Sequence, residues 1–231
     1  MNMCPLRIRT LAATCTLTAL ALLGAGRAAA AGAGGQPPRD PDPLSAQHQL
    51  DLADGKLSAE HLQHKAAKDA EEQRLGIAPP NDKGGIVPTI TVIKDGKKYY
   101  APASMGESAA IAAANSVLGN NLCAAGQICL YYNSGLKNAN YPKNGPDARH
   151  YNYAGHTFNN GQGMPGYGQK VKNNTASIMN GYMGQHAFVL FVNSGYKGDR
   201  EWYVQNDGYN LNETLKNDNA SGACGGLGEA C

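Results

Sequence analysis

Six cysteines and six histidines are the side chains of this 231-residue chain best suited to covalent, metal or acid–base chemistry, and their spacing decides what is open to them. Cys4 and Cys15 lie near the start, whereas Cys123, Cys129, Cys224 and Cys231 lie in the second half. An even set implies disulfides in an exported chain, and the N-terminal residues of this one read as an export signal. Four cysteines allow three pairings; proximity favours Cys123–Cys129 and Cys224–Cys231, each closing a short loop. No His or third Cys stands at zinc spacing around either pair. His61 and His64 sit at i, i+3, a spacing that suits a metal pair but is commoner on a solvated helix face. His150, His156 and His186 have no nucleophile partner once the cysteines are paired. There is no H-E-x-x-H, G-x-S-x-G, Walker loop or dinucleotide fingerprint. No catalytic residue is assigned, and the chain reads as a non-enzyme.

The elements that must position these residues declare themselves by repetition. Leu130-Tyr131-Tyr132-Asn133-Ser134-Gly135-Leu136-Lys137-Asn138-Ala139 aligns with Leu190-Phe191-Val192-Asn193-Ser194-Gly195-Tyr196-Lys197-Gly198-Asp199, with Leu, Asn, Ser, Gly and Lys in place. Each copy is followed by an Asn/Asp-rich box ending in Ser: Asn173-Asn174-Thr175-Ala176-Ser177 and Asn217-Asp218-Asn219-Ala220-Ser221. A repeat of this size cannot bury its apolar face alone, so two copies predict two β units around one core. Residues 122–231 hold ten of the twelve tyrosines, every Phe and the single Trp. Asn144-Gly145, Asn160-Gly161, Asn180-Gly181 and Asp207-Gly208 read as turns. Between them lie predicted strands at Gln127–Tyr132, His150–Tyr153, Ala176–Met179, His186–Val192 and Glu201–Val204. This is the pattern of a sandwich or barrel.

Upstream, Arg7 and Arg9 precede an apolar run, Leu11–Leu23, and an Ala-rich cleavage region at Ala28–Ala31. Residues 1–31 are therefore read as a secretory signal peptide, which predicts a secreted, extracellular protein. Its removal takes Arg7, Arg9 and Arg27 and no acid, so the formal charge falls from +2 to −1. A near-neutral chain carries no electrostatic footprint for nucleic acid or membrane. Residues 32–121 form an N-terminal extension. It comprises a Pro-rich leader (Gln36–Pro43), a polar helix over Ser58–Leu75 stopped by Gly76, and strands Ile86–Ile93 and Lys97–Ala101 joined by an Asp95-Gly96 turn. A capping box, Ser104-x-x-Glu107, then opens an Ala-rich helix to Leu118, closed by Gly119. A small α/β subdomain, a pro-region and an accessory arm all fit this stretch.

Phe191-x-x-x-x-Tyr196-x-Gly198 resembles the folded hairpin of the βγ-crystallin Greek key, and the boxes resemble that fold's Asn/Asp-Asn/Asp-x-x-Ser/Thr element. Tyr131 opens the first copy, in which Leu136 and Asn138 replace the second aromatic and the Gly. More closely, Cys123-Ala-Ala-Gly-Gln-Ile-Cys129-Leu-Tyr-Tyr-Asn resembles the C-x5-C-hydrophobic-Tyr opening of the secreted streptomycete metalloproteinase-inhibitor family. Val171–Ser177 and Leu190–Gly198 are also similar to its repeats. The resemblance implies a mainly β fold: a βγ-crystallin-like domain of two Greek-key motifs over 122–231, preceded by the signal peptide and the partly helical extension. It implies structural roles for Tyr131, Phe191, Tyr196, Gly198, Asn173, Ser177, Asn217 and Ser221. It also implies a monomer that inhibits a secreted peptidase, in particular a metalloproteinase, by blocking its cleft with a scaffolded loop. Asn159–Gly168 and Tyr203–Asn212 are the candidate loops; the contact residues are unassigned.

Two alternatives follow from the same residues. In calcium-binding βγ-crystallins the boxes donate hard oxygen ligands, so by resemblance Asn174, Thr175, Ser177, Asp218, Asn219 and Ser221 are candidate calcium donors in a structural or stress protein of the cell envelope. Asp218 is the only carboxylate among them, which predicts weak binding and no other cofactor. A secreted toxin or wall-binding module, using Tyr- and Asn-rich loops, is the other alternative.

Overall fold

The two decapeptide copies fold as two equivalent hairpins. A computed structural model describes residues 59–74, 84–116, 121–184 and 187–225, all within one unit spanning 41–231. The expected signal peptide and Pro-rich leader, His186, Leu118, Gly119 and Cys231 lie outside the described residues. In the first copy β5 (Gln127–Asn133) pairs with β6 (Lys137–Asn144); in the second, β8 (Phe188–Asn193) pairs with β9 (Lys197–Tyr203). Both ladders slip register at the same place, between Tyr131 and Asn133 and between Phe191 and Asn193.

The slip has a common backbone cause. Gly135, Leu136 and Asn138 have φ of 75°, 56° and 68°, and Gly195, Tyr196 and Gly198 have 80°, 60° and 74°. Left-handed backbone is disfavoured for Leu and Tyr, so something must hold it. In each copy it is the last serine of the following box. Ser177 Oγ donates to Asn133 O (2.6 Å) and accepts the Leu136 N–H (3.0 Å). Ser221 Oγ donates to Asn193 O (2.6 Å) and accepts the Tyr196 N–H (3.1 Å). Both serines are buried. Gly198 is required sterically as well, because a Cβ there would lie 2.6 Å from Val192 Cγ2. Asn138 takes the corresponding place in the first copy, and Asn tolerates the left-handed region.

Every strand pairing is antiparallel among the described residues. The boxes lead into β7 (Ser177–Asn180) and β11 (Ser221–Cys224). β7 lies between β5 and β10 (Asp207–Asn210) in a five-stranded sheet whose order is β1 (Gly85–Val87), β10, β7, β5, β6, while β11, β8 and β9 form a three-stranded sheet. Apolar residues of both sheets share one core, among them Leu130, Tyr141, Ile178, Phe188, Leu190 and Tyr203.

The extension enters this architecture instead of standing apart. Its β1 (Gly85–Val87) pairs with β10, so residues before and after position 121 share a sheet. β2 (Thr89–Lys94) and β3 (Lys97–Pro102) form the expected hairpin, with Asp95 and Gly96 at φ 50° and 73°, and β3 pairs with β4 (Cys123–Ala124). Val87 and Tyr100 then cover Tyr131, Leu136 and Met179 on the outer face of the first hairpin. Helix α2 (Glu107–Ala114) closes a small cluster of Val92, Ala101, Ala110 and Leu122.

Four local expectations are corrected. The Ser104–Glu107 capping box does not form: Ser104 lies in a 3-10 turn, and Gly106, at φ 77°, is the N-cap, which places Glu107 at the first helical position. The α2 helix ends at Ala114 with Asn115 as its C-cap, short of Leu118. His150–Tyr153 is not a strand. His150 makes a single bridge to Gly222, after which Asn152 accepts the Ala154 N–H and starts a 3-10 turn at Tyr153–Gly155. Asp207-Gly208 is not a turn but lies inside β10; the bend is at Asn206, φ 65°. Gly208 is needed there because a Cβ would meet Leu136 Cδ1 at 2.7 Å. Cys123–Cys129 is a disulfide, as the spacing predicts, and Cys224 is disulfide-bonded to a partner outside the described residues.

Ser177→Ala and Ser221→Ala each leave a buried carbonyl and N–H without their shared partner. Each substitution is expected to cost about 1–3 kcal/mol, with similar values for the two copies, measured by denaturant unfolding.

Candidate functional site

The two boxes meet across a seam and bond each other reciprocally. The Asn173 N–H donates to Asn219 O, and the Asn217 N–H donates to Thr175 O, both at 2.8 Å. Asn173 and Asn217 have φ of 60° and 57°, a backbone that turns the first amide of each box toward the other. Asn219 Oδ1 also accepts the Thr175 N–H at 3.1 Å. The seam thereby gathers amide and carbonyl oxygens in a buried place.

Helix α1 (Ala59–Arg74) lies against this seam. Lys65, Lys68 and Glu72, spaced i, i+3 and i+7, form one face of it. The Lys68 ammonium donates to Asn174 O and to Asn217 Oδ1 (2.6 Å), one acceptor from each box, and lies 3.8 Å from the centre of the Tyr132 ring. Lys65 donates to Lys216 O (2.5 Å) and Glu213 O (3.3 Å). Glu72 accepts both the N–H and the hydroxyl of Ser134 at 3.0 Å and pairs with Lys216 at 2.6 Å. The Lys216 and Glu72 side chains are 5% and 2% exposed, so this pair is desolvated and depends on the Ser134 bonds to offset that cost. Burial, and then the Glu72 carboxylate, push the Tyr132 phenol above its ordinary range. Outward, Glu71 and Arg74 make only an exposed pair, and His64 is solvated.

The candidate calcium donors fall on this seam with other duties. Ser177 and Ser221 hold the hairpins; Thr175 Oγ1 donates to Val171 O (3.3 Å); Asn174 O carries Lys68. Asn173 Oδ1 and Asn174 Oδ1 are buried without a hydrogen-bond partner among the described residues, which leaves some oxygen capacity. The charge is of the wrong sign, however. Lys65, Lys68 and Lys216 bond within the seam, and Lys172 reaches Ser194 beside it, against the carboxylates of Glu72 and Asp218. A hard divalent ion favours several anionic oxygens. The seam as folded does not fit calcium; it fits an ammonium group.

The two candidate loops differ. Asn159–Gly168 is an excursion tied at both ends: the Asn159 and Asn160 N–H groups donate to Asn140 O, the Gly168 N–H donates to Phe158 O, and Pro165 O accepts the Ala139 N–H. Gly166 has φ 86° and packs so closely on Tyr132 that a Cβ would lie 2.1 Å from the ring. Tyr167 stays 45% exposed. Tyr203–Asn212 is half strand: it runs from the end of β9 through a bend at 204–206, where the Asn206 N–H donates to Asn180 O, into β10, which is hydrogen-bonded on both sides.

Motif reading placed Tyr131, Phe191, Tyr196, Gly198 and the boxes in the fold but missed Lys65, Lys68, Glu72, Ser134 and Lys216. A signal existed. Ser134 and Ser194 recur in the decapeptides, and Lys172 and Lys216 each precede a box. Nothing local ties those positions to a helix whose partners lie 62 to 151 residues away in sequence. Among the described residues no helix is long and apolar enough to cross a membrane, and no three His, Cys, Asp or Glu side chains are grouped to hold a metal ion. Comparison of the chain with protein-family models, curated proteins and solved structures finds no match.

Removing Glu72 strands the Lys216 ammonium in a buried site. Glu72→Ala is expected to destabilise by about 3–5 kcal/mol, and adding Lys216→Met should recover part of the loss, read from denaturant unfolding of single and double variants. In calorimetry the full chain should bind calcium no more tightly than about 10⁻⁴ M.

Proposed function

We propose that this protein is a secreted peptidase inhibitor, directed at a metalloproteinase, whose β domain is a pair of crystallin-like Greek keys. The strand order supports the architecture. β10, which follows the second hairpin, lies beside β7 of the first, and His150, which follows the first hairpin, bridges to β11 of the second. Each half thus lends its third segment to the other half's sheet. The extended order and the serine-held hairpins agree with the motif resemblance.

The observation that carries the functional reading is the 159–168 loop. Its backbone is pinned to Asn140, Ala139 and Phe158, yet Gln162, Gly163, Pro165 and Tyr167 face solvent. A loop already fixed in place loses little conformational entropy when it docks, so a contact of about 800 Å² per partner can be tight. Tyr167 is of the residue type that anchors such contacts. The loop holds no cluster of His or carboxylate groups able to extract zinc, so inhibition through this loop acts by occupying the cleft.

Screening the full chain against metallo-, serine and cysteine peptidases tests this. The expected result is one-to-one inhibition of a metalloproteinase that persists in excess zinc and weakens at least about tenfold with Tyr167→Ala. Full activity of every metallopeptidase at micromolar protein would refute it.

A further inference from the structure

A second cluster of chemically competent side chains lies away from the box seam. Tyr141 comes from β6, His150 from the bridge to β11, and His156 from the end of the 153–155 turn. The Tyr141 hydroxyl is 3.0 Å from His150 Nε2 and 2.8 Å from His156 Nδ1. The two imidazoles nearly stack, with centroids 4.0 Å apart and planes inclined by 38°. Both rings are partly open to solvent.

Each member is held by its backbone. Tyr141 stands opposite Leu130 in the β5–β6 ladder. His150 and Gly222 exchange both backbone bonds, at 2.9 and 3.0 Å. The His156 N–H donates to Tyr153 O, and His156 O accepts the Val171 N–H. The buried Tyr153 ring packs edge-on against Tyr141 and His150. Two ring nitrogens from separate segments are thus aimed at one oxygen.

The spacing has a meaning for coordination. A tetrahedral ion with bonds of about 2.0–2.1 Å to nitrogen and oxygen keeps its ligand atoms about 3.3 Å from one another. The two N···O separations here, 3.0 and 2.8 Å, are about 0.3–0.5 Å shorter than that edge, so the three atoms must part by a few tenths of an ångström to admit an ion between them. Imidazole nitrogen with phenol oxygen suits borderline transition metals, and the absence of a carboxylate from this trio disfavours calcium and magnesium.

We propose that Tyr141, His150 and His156 form a binding site for a divalent transition-metal ion of the zinc or copper(II) class, with the fourth position open to solvent. The imidazoles supply their lone pairs, and the phenol binds either intact or as phenolate, releasing its proton to water. Lys143 acts against the site: its ammonium lies 4.9 Å from the centre of the Tyr141 ring. The Asp147 carboxylate is the nearby opposing charge, acting on His150.

The test is calorimetric titration of the full chain with zinc and with copper(II), alongside His150→Ala, His156→Ala, Lys143→Gln and a His61→Ala/His64→Ala control. One equivalent is expected in the parent chain and in the control, weakened at least tenfold by either single His substitution and strengthened by Lys143→Gln. A purely structural hydrogen-bond cluster would give no such strengthening. To guard against a His variant that fails to fold, zinc is also titrated into the unsubstituted chain while imidazole resonances are followed by NMR; those of His150 and His156 must shift together. No binding to the parent chain, undiminished binding in folded His150 and His156 variants, or shifts confined to other histidines would overturn the proposal.

Discussion

A single buried hydroxyl in each half holds this structure in register. Ser177 and Ser221 each bridge a carbonyl and an N–H across a hairpin whose central residues have left-handed backbone. Without that bridge, Leu136 and Tyr196 would relax toward ordinary backbone and the slip after Tyr131 and Phe191 would have no cause. Because the serine is also the first residue of the next strand, the hydroxyl couples the hairpin's shape to the start of β7 or β11. The reciprocal bonds between boxes then join the two halves, so local geometry, sheet order and the central seam depend on one another.

The two halves share this device but not their surroundings. Val87 and Tyr100 of the extension bury Tyr131 and Leu136 on the outer face of the first hairpin. The second hairpin has only a small cluster, Val189, Phe191 and Ala223 with Tyr196 against it, while Tyr151 meets the Tyr196 ring edge-on at 5.6 Å. The loss of the aromatic and Gly at Leu136 and Asn138 fits this difference. An aliphatic side chain packs under a covering strand, whereas Tyr196 covers its own turn at a wetter face.

The seam shows how charge can replace apolar burial in docking a helix. The α1 face toward the boxes is Lys65, Lys68 and Glu72, and each finds a partner in an oxygen or an ion. Such contacts confer position more than net stability, since removing the charges from water costs nearly what the pairing returns. The same ammonium groups make the boxes a poor home for calcium, although their Asn and Ser composition matches that of a cation-binding element. Box composition alone therefore does not establish a metal site; the charge brought by another part of the chain decides.

Much was legible in the sequence because it depends on neighbours. The Asp95-Gly96 hairpin, the polar helix, the Cys123–Cys129 loop and the paired hairpins all arise from residues a few positions apart, and a decapeptide written twice requires the same backbone twice. Where local signals competed with packing, the sequence misled: Gly208 is small for Leu136, not for a turn, and Ser104 lost its cap to Gly106. The joining of β1 to β10, the insertion of Lys68 between the boxes and the meeting of Tyr141, His150 and His156 were decided only by the tertiary structure. Those contacts span long stretches of chain, and no periodicity records them, because a polar side chain's partner is set by where the finished core brings it and not by what stands beside it in sequence.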